Sequence, residues 1–125
     1  MKKVLLSIRP EYANKIFSGE KLYEFRKTIF VDLRVKVAVV YATRPISKVI
    51  GQFDIENVIQ GTPQQIWSVT KRSAGVSKEF FDKYFDGKSC AYAIKVNNPT
   101  TYDRPQTLQE VINRSTPPQS FCYIR

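Results

Sequence analysis

The chain has 125 residues, enough for one compact domain (1–125) with a single core and too few for two ordinary ones. A hydrophobic fraction of 42% and an aromatic fraction of 13% exclude a disordered chain. The 20 Lys plus Arg against 11 Asp plus Glu give a net charge of +9, which favours a polyanionic partner such as nucleic acid. Histidine is absent, which removes histidine bases, histidine metal ligands and Ser-His or Cys-His nucleophile pairs. Cys90 and Cys122 form no CxxC pair, so the expected compartment is the reducing cytoplasm, with no metal and no cofactor. Arg9 and Pro10 cut the apolar start to about five residues, too short for a signal-peptide core or a membrane span.

In chain order, Lys3 to Ile8 predicts a buried strand, and Pro10 suits the first position of a helix, where its missing N–H costs nothing. Tyr12, Ala13, Ile16 and Phe17 recur at helical spacing, and Gly19 supplies the stop. Leu22 to Lys27 predicts a second strand. Arg34 to Ala42 predicts a third, with Val35, Val37, Val39 and Tyr41 on one face and Ala38, Val40 and Ala42 on the other. Apolar on both faces, it belongs in the middle of a sheet. Val49 to Ile59 follows, with Gly51 marking a bulge or bend. Thr62-Pro63-Gln64-Gln65 is a capping box that opens a helix through Ile66, Trp67 and Val69. Ser77 caps another helix, whose Phe80, Phe81, Tyr84 and Phe85 form an aromatic stripe read as core. Cys90 to Val96 predicts a strand, Leu108 to Ile112 a short helix and Phe121 to Ile124 a closing strand. The expectation is an α+β fold of about six strands and two to three helices. A partly closed β-barrel is favoured, since βαβ alternation stops after the second strand.

Alternation along the second strand puts Leu22, Glu24 and Arg26 on one face and Tyr23 and Phe25 on the other, with i to i+2 separations of roughly 6–7 Å. Tyr23 and Phe25 are expected in the core, and Glu24 and Arg26 in a polar cleft with Lys21 as a mobile charge at its mouth. Arg26 offers a planar fork for phosphate or a base edge, and Glu24 can accept from an exocyclic amine. Desolvated beside Arg26, Lys21 can serve as a base. The plain alternative is a surface ion pair of Glu24 with Lys21 or Arg26. Ser7 and Arg9 flank the helix start, a ready anion site. Thr43 and Arg44, just after Tyr41, can meet a ligand or simply end a strand. Gln119, Ser120 and Tyr123 can reach the cleft from the last segment, and Lys71, Arg72, Lys78, Lys83 and Lys88 form a basic surface or a merely solvated one.

The stretch LLSIRPEYANKIFSGEKLYEFRK, with Gly19-x-Lys21-x-x-Glu24-x-Arg26 after a strand and helix, resembles the opening of ASCH domains of the PUA-like superfamily. VVYATRPISKVIGQFDI (39–55) and CAYAIKV (90–96) continue the likeness, and TPPQSFCYI (116–124) resembles the end of a bacterial and phage subgroup. The resemblance implies a five- or six-stranded barrel with a cleft between the first helix and the sheet, and RNA or a modified nucleoside as ligand. Some small ASCH proteins hydrolyse N4-acetylcytidine with a lysine, a threonine and a glutamate. Lys21 stands at the lysine's position and Glu24 at the threonine's, while the glutamate has no match. Nuclease activity is also proposed for such proteins. The leading expectation is an RNA- or modified-nucleotide-binding module with a cleft of Lys21, Glu24 and Arg26. The alternatives are a ribonuclease or N4-acetylcytidine amidohydrolase using Lys21 and Glu24, and a regulatory module for an acidic protein. Oligomeric state is not legible.

Overall fold

The computed structural model describes residues 2–125. Strands β1 (Lys2–Ile8), β2 (Tyr23–Arg26), β3 (Val35–Ala42), β4 (Lys48–Gly61), β5 (Ala91–Gln106) and β6 (Phe121–Ile124) form one sheet in the order β2-β5-β4-β3-β1-β6. Neighbours pair antiparallel except β1 and β3, which are parallel. Helices α1 (Pro10–Ser18), α2 (Pro63–Thr70), α3 (Lys78–Tyr84) and α4 (Leu108–Ile112) pack around it, with a 3-10 turn at Lys71–Ser73. The α+β class and six strands agree with expectation, but there are four helices rather than two or three. The sheet is also not closed into a barrel, since its terminal strands β2 and β6 share no ladder. It curls far enough for the Arg26 guanidinium on β2 to bond carbonyls of Ser7 on β1 and Ser120 before β6.

The two faces follow from strand alternation. Val4, Leu6 and Ile8, with Ala38, Val40, Phe53, Ile94 and Val96, fill the inner face under Ala13 and Ile16 of α1. At the β2–β5 end, Phe25, Ala91 and Ala93 turn the other way to meet Ile66, Phe81 and Phe85 of α2 and α3. At the β1–β3 end, Leu5, Val37, Val39 and Tyr41 pack on Leu108 of α4. Val35 departs from the expected alternation and joins the inner cluster, because the β1–β3 register slips between Lys2 and Lys3. Truncating a fully buried leucine such as Leu6 costs about 2–5 kcal/mol.

Local signals account for most boundaries. Gly19 takes the left-handed conformation, φ 88°, and its N–H donates to the Ile16 carbonyl, ending α1. Both capping boxes, Thr62 with Gln65 and Thr107 with Glu110, are formed. At Gly51 a Cβ would lie 2.5 Å from the Thr100 carbonyl oxygen and 2.7 Å from the Phe17 ring, so only glycine admits this approach. The bulge expected there lies one residue earlier: Val49 and Gly51 pair with consecutive residues of β3, leaving Ile50 as the extra one. β5 runs ten residues beyond Val96, through a polar stretch that pairs only with β4 and with shifted register.

Candidate nucleotide-binding site

The segment entering β2 is held from two sides. The Lys21 amide bonds the Lys15 carbonyl at the end of α1, and the Leu22 amide bonds the Ser73 carbonyl at 3.0 Å. This places the Lys21 side chain under the turn Ala74–Val76, where its Nζ donates to the Ala74 carbonyl at 2.7 Å. Gly75 is what lets the turn pass so close, since a Cβ there would fall 2.5 Å from the lysine Cβ. Lys21 is therefore not the mobile charge at a cleft mouth that alternation suggests. It is 1% exposed, with its Nζ 4.6 Å from the centre of the Phe25 ring.

Burial lowers the Lys21 pKa from its usual 10.5 to about 8, against the pull of Glu24 upward and with Lys15 adding a downward push. Desolvation, expected from the sequence, is the main cause, and the neighbouring cation that adds to it is Lys15 and not Arg26. Glu24 and Arg26 project from the same face of β2 and pair at 3.1 Å, both buried. Arg26 Nη1 also reaches the Ser7 carbonyl at 3.3 Å, and Nη2 donates to the Ser120 carbonyl at 2.6 Å and to its hydroxyl at 2.8 Å. Its Nε is buried without an acceptor, the single such side-chain atom among the described residues.

These groups border a cavity of about 210 Å³. Ser7, Arg9, Lys21, Glu24 and Arg26 line it together with Gln119 and the aromatic side chains of Tyr12, Phe80 and Tyr84. Ser7 donates its hydroxyl to the Pro118 carbonyl at 2.8 Å. Arg9 lies 5.4 Å above the Phe80 ring, which stacks on Tyr12 at 5.0 Å. Pro10 has no N–H, and the Tyr12 amide is bonded to the Arg9 carbonyl, so the helix start offers fewer free donors than expected. Burial raises the Tyr84 phenol pKa, keeping its hydroxyl protonated, 3.4 Å from the Phe25 carbonyl.

The remaining candidates fall elsewhere. Ser120 stands behind the cavity as the Arg26 acceptor. Tyr41, Thr43 and Arg44 line a second cavity, of about 440 Å³, on the α4 side of the sheet. Tyr123 accepts from the Val31 and Asp32 amides instead of entering the site. Lys71, Arg72, Lys78, Lys83 and Lys88 are all exposed. Tyr12, Phe80 and Tyr84 are cavity residues that the sequence reading does not include, since it assigns Tyr12 to the apolar face of α1 and the whole α3 stripe to the core. Only Phe81 and Phe85 are buried. The i, i+4 pairs 80/84 and 81/85 are adjacent helical rows, and that spacing was the available signal.

An ASCH domain model matches residues 6–100, which include Lys21, Glu24, Arg26 and the aromatic wall. The chain belongs to the ASCH domain family. It is 33% identical to an ASCH domain-containing ribonuclease of Zymomonas mobilis, over 99% of this chain and 85% of that protein. The crystal structure of the ASCH protein from that organism superposes with a TM-score of 0.91 at 34% identity, covering 99% of this chain and 88% of that one. The chain is also similar to the large ribosomal subunit protein uL22 of Ureaplasma parvum, 32% identical over 98% of its own length but only 39% of that protein. In this ASCH protein Gln119 and Ser120 lie beyond the matched residues, so the cavity is completed by a segment outside them. Among the described residues no group of three or more His, Cys, Asp or Glu side chains converges to hold a metal. No described helix is long and apolar enough to cross a membrane.

Proposed function

We propose that this ASCH protein binds single-stranded RNA by taking one unpaired nucleotide, with an ordinary or modified base, into the cavity around Lys21, Glu24 and Arg26. The observation that carries the reading is the burial of an ammonium, a carboxylate and a guanidinium in one small chamber walled by aromatic rings. Buried charge is costly unless something polar repays it, and Lys21, Glu24 and Arg26 all border the chamber that a polar ligand would enter. At about 210 Å³ the chamber falls below the roughly 300–1,000 Å³ of drug-sized ligand sites, which suits a single base. Tyr12, Phe80 and Tyr84 supply faces for base stacking, and Glu24 an acceptor for an exocyclic amine. The net charge of +9 and the name of the Zymomonas mobilis relative, a ribonuclease covered over 85% of its length, point to the same ligand class.

A second reading is RNA cleavage, favoured by the Lys21 pKa of about 8 and by the ribonuclease relative. Near neutral pH such a lysine passes between ammonium and amine. It can accept the proton of a ribose 2′-hydroxyl as that oxygen attacks the neighbouring phosphorus to form a 2′,3′-cyclic phosphate, and can return that proton to the departing 5′-oxygen, which leaves as an alcohol. The amidohydrolase reading has less support, because the position of the catalytic threonine carries Glu24, held by Arg26.

Filter binding with single-stranded and duplex RNA of the same sequence, in chelator, tests the proposal. Single strands bind more tightly, and Lys21→Met lowers that affinity at least about tenfold. Equal affinity for both forms, or an indifferent Lys21→Met, sinks the binding reading. Product formation that Glu24→Gln or Lys21→Met abolishes while binding persists establishes the cleavage reading, and intact RNA with the wild type removes it.

A further inference from the structure

The second cavity, on the α4 side of the sheet, and the first, on the α1 side, take lining residues from one shared segment and from two paired strands, β1 and β3. The segment Ser115–Ser120 contributes Gln119 to the first and Ser115 and Pro117 to the second. On the strand side, the Thr43 amide, at the second cavity, bonds at 3.0 Å to the carbonyl of Ile8, at the first. Along the segment Ser115–Ser120, Pro117 and Gln119 are two residues apart, at most roughly 7 Å of extended chain. The second cavity has a different chemistry from the buried chamber. Arg44 is exposed there, and Tyr41, Thr43, Ser47, Thr107 and Ser115 line the same cavity. The Tyr41 ring is buried, 5% exposed, yet its hydroxyl makes no hydrogen bond among the described residues and is not one of the sealed-off polar atoms. It is therefore free to meet a ligand in that cavity.

Resting on the reading of the first cavity as a nucleotide site, we infer that the second cavity is a backbone subsite, which holds the ribose-phosphate next to the inserted nucleotide. Arg44 meets the phosphate, and the Tyr41 hydroxyl with its neighbours takes up the ribose 2′-hydroxyl. A lone cation among hydroxyls without an aromatic wall fits a sugar-phosphate and not a second stacked base. The ligand is then an oligoribonucleotide gripped across the Ser115–Ser120 segment, and the first cavity alone accounts for a mononucleotide.

Isothermal titration with the four ribonucleoside 5′-monophosphates and with the tetranucleotides rA4, rC4 and rU4 and their deoxy forms tests the inference. The expected result is that the best ribo-tetramer binds about tenfold or more tighter than its monomer. Arg44→Ala should remove most of that gain and leave the monophosphate unchanged, and Tyr41→Phe should narrow the ribo-to-deoxy difference. Arg44 is exposed and Tyr41→Phe keeps the buried ring, so both variants retain the packing. A monophosphate that binds as tightly as the tetramer, or an Arg44→Ala loss equal for both, overturns the subsite and leaves the first cavity standing. No binding of any probe by the wild type overturns both.

Discussion

A lysine ammonium with 1% of its surface in water and a pKa near 8 is a local cost to the fold. In the unfolded chain Lys21 titrates near 10.5, and in the folded chain near 8, so between these values the unfolded state holds more protons. The penalty is therefore complete below pH 8 and fades as pH rises from 8 to 10.5. Over the span from 10.5 to about 8 it amounts to roughly 3 kcal/mol. Lys21→Met removes the charge but leaves the Ala74 carbonyl without its donor, a loss of about 1–3 kcal/mol. The variant is expected to match or exceed the wild type in denaturant midpoint at pH 7, by up to about 1–2 kcal/mol, while losing ligand. At pH 10.5 that advantage should be gone. The pairing of Glu24 with Arg26 on one face was legible from the two-residue period of a strand. The burial of Lys21 was not, because it depends on the turn Ala74–Val76, brought in from far along the chain.

At the scale of elements, the cavity exists because α1, β2 and α3 leave a gap that no side chain fills, and the turn before α3 sets its depth. Gly75, at φ 70°, is the residue on which that turn depends. Gly75→Ala places a methyl 2.5–2.6 Å from the Lys21 Cβ and Cγ and adds a left-handed alanine, itself worth about 1–2 kcal/mol. Urea unfolding should show a loss of at least that size, and single-stranded RNA should bind more weakly because the Lys21 stem has moved. Helix and strand boundaries were readable because Gly19, the two capping boxes and the Ser77 cap each act within a few residues. The extension of β5 through Asn97–Gln106 carries no apolar alternation and is a strand only because β4 pairs with it.

For the whole molecule, the net charge of +9 acts on the encounter with RNA, and the sheet's curl brings the chain's last segment to the site. A ligand spanning both cavities would meet about three phosphates, through Arg9, Arg26 or Lys21, and Arg44. For a single strand the slope of log K against log salt is then about −2, and Arg44→Ala should reduce its magnitude by about 0.7. Filter binding from about 50 to about 300 mM salt, a range that brackets physiological screening, reads both slopes. The α+β class and strand count were accessible from hydrophobic periodicity. The open edge between β2 and β6, bridged by Arg26 instead of a ladder, is a property of the assembled sheet. Entry of RNA into the Lys21 cavity can be read by carbon-13 NMR of lysine-labelled protein, following the Lys21 Cε signal through a pH titration with and without single-stranded RNA. The expected signal titrates near pH 8 in the free protein and moves to higher pKa as phosphate or base acceptors close around the ammonium. A Lys21 signal whose position and titration are unchanged at saturating RNA contradicts that entry.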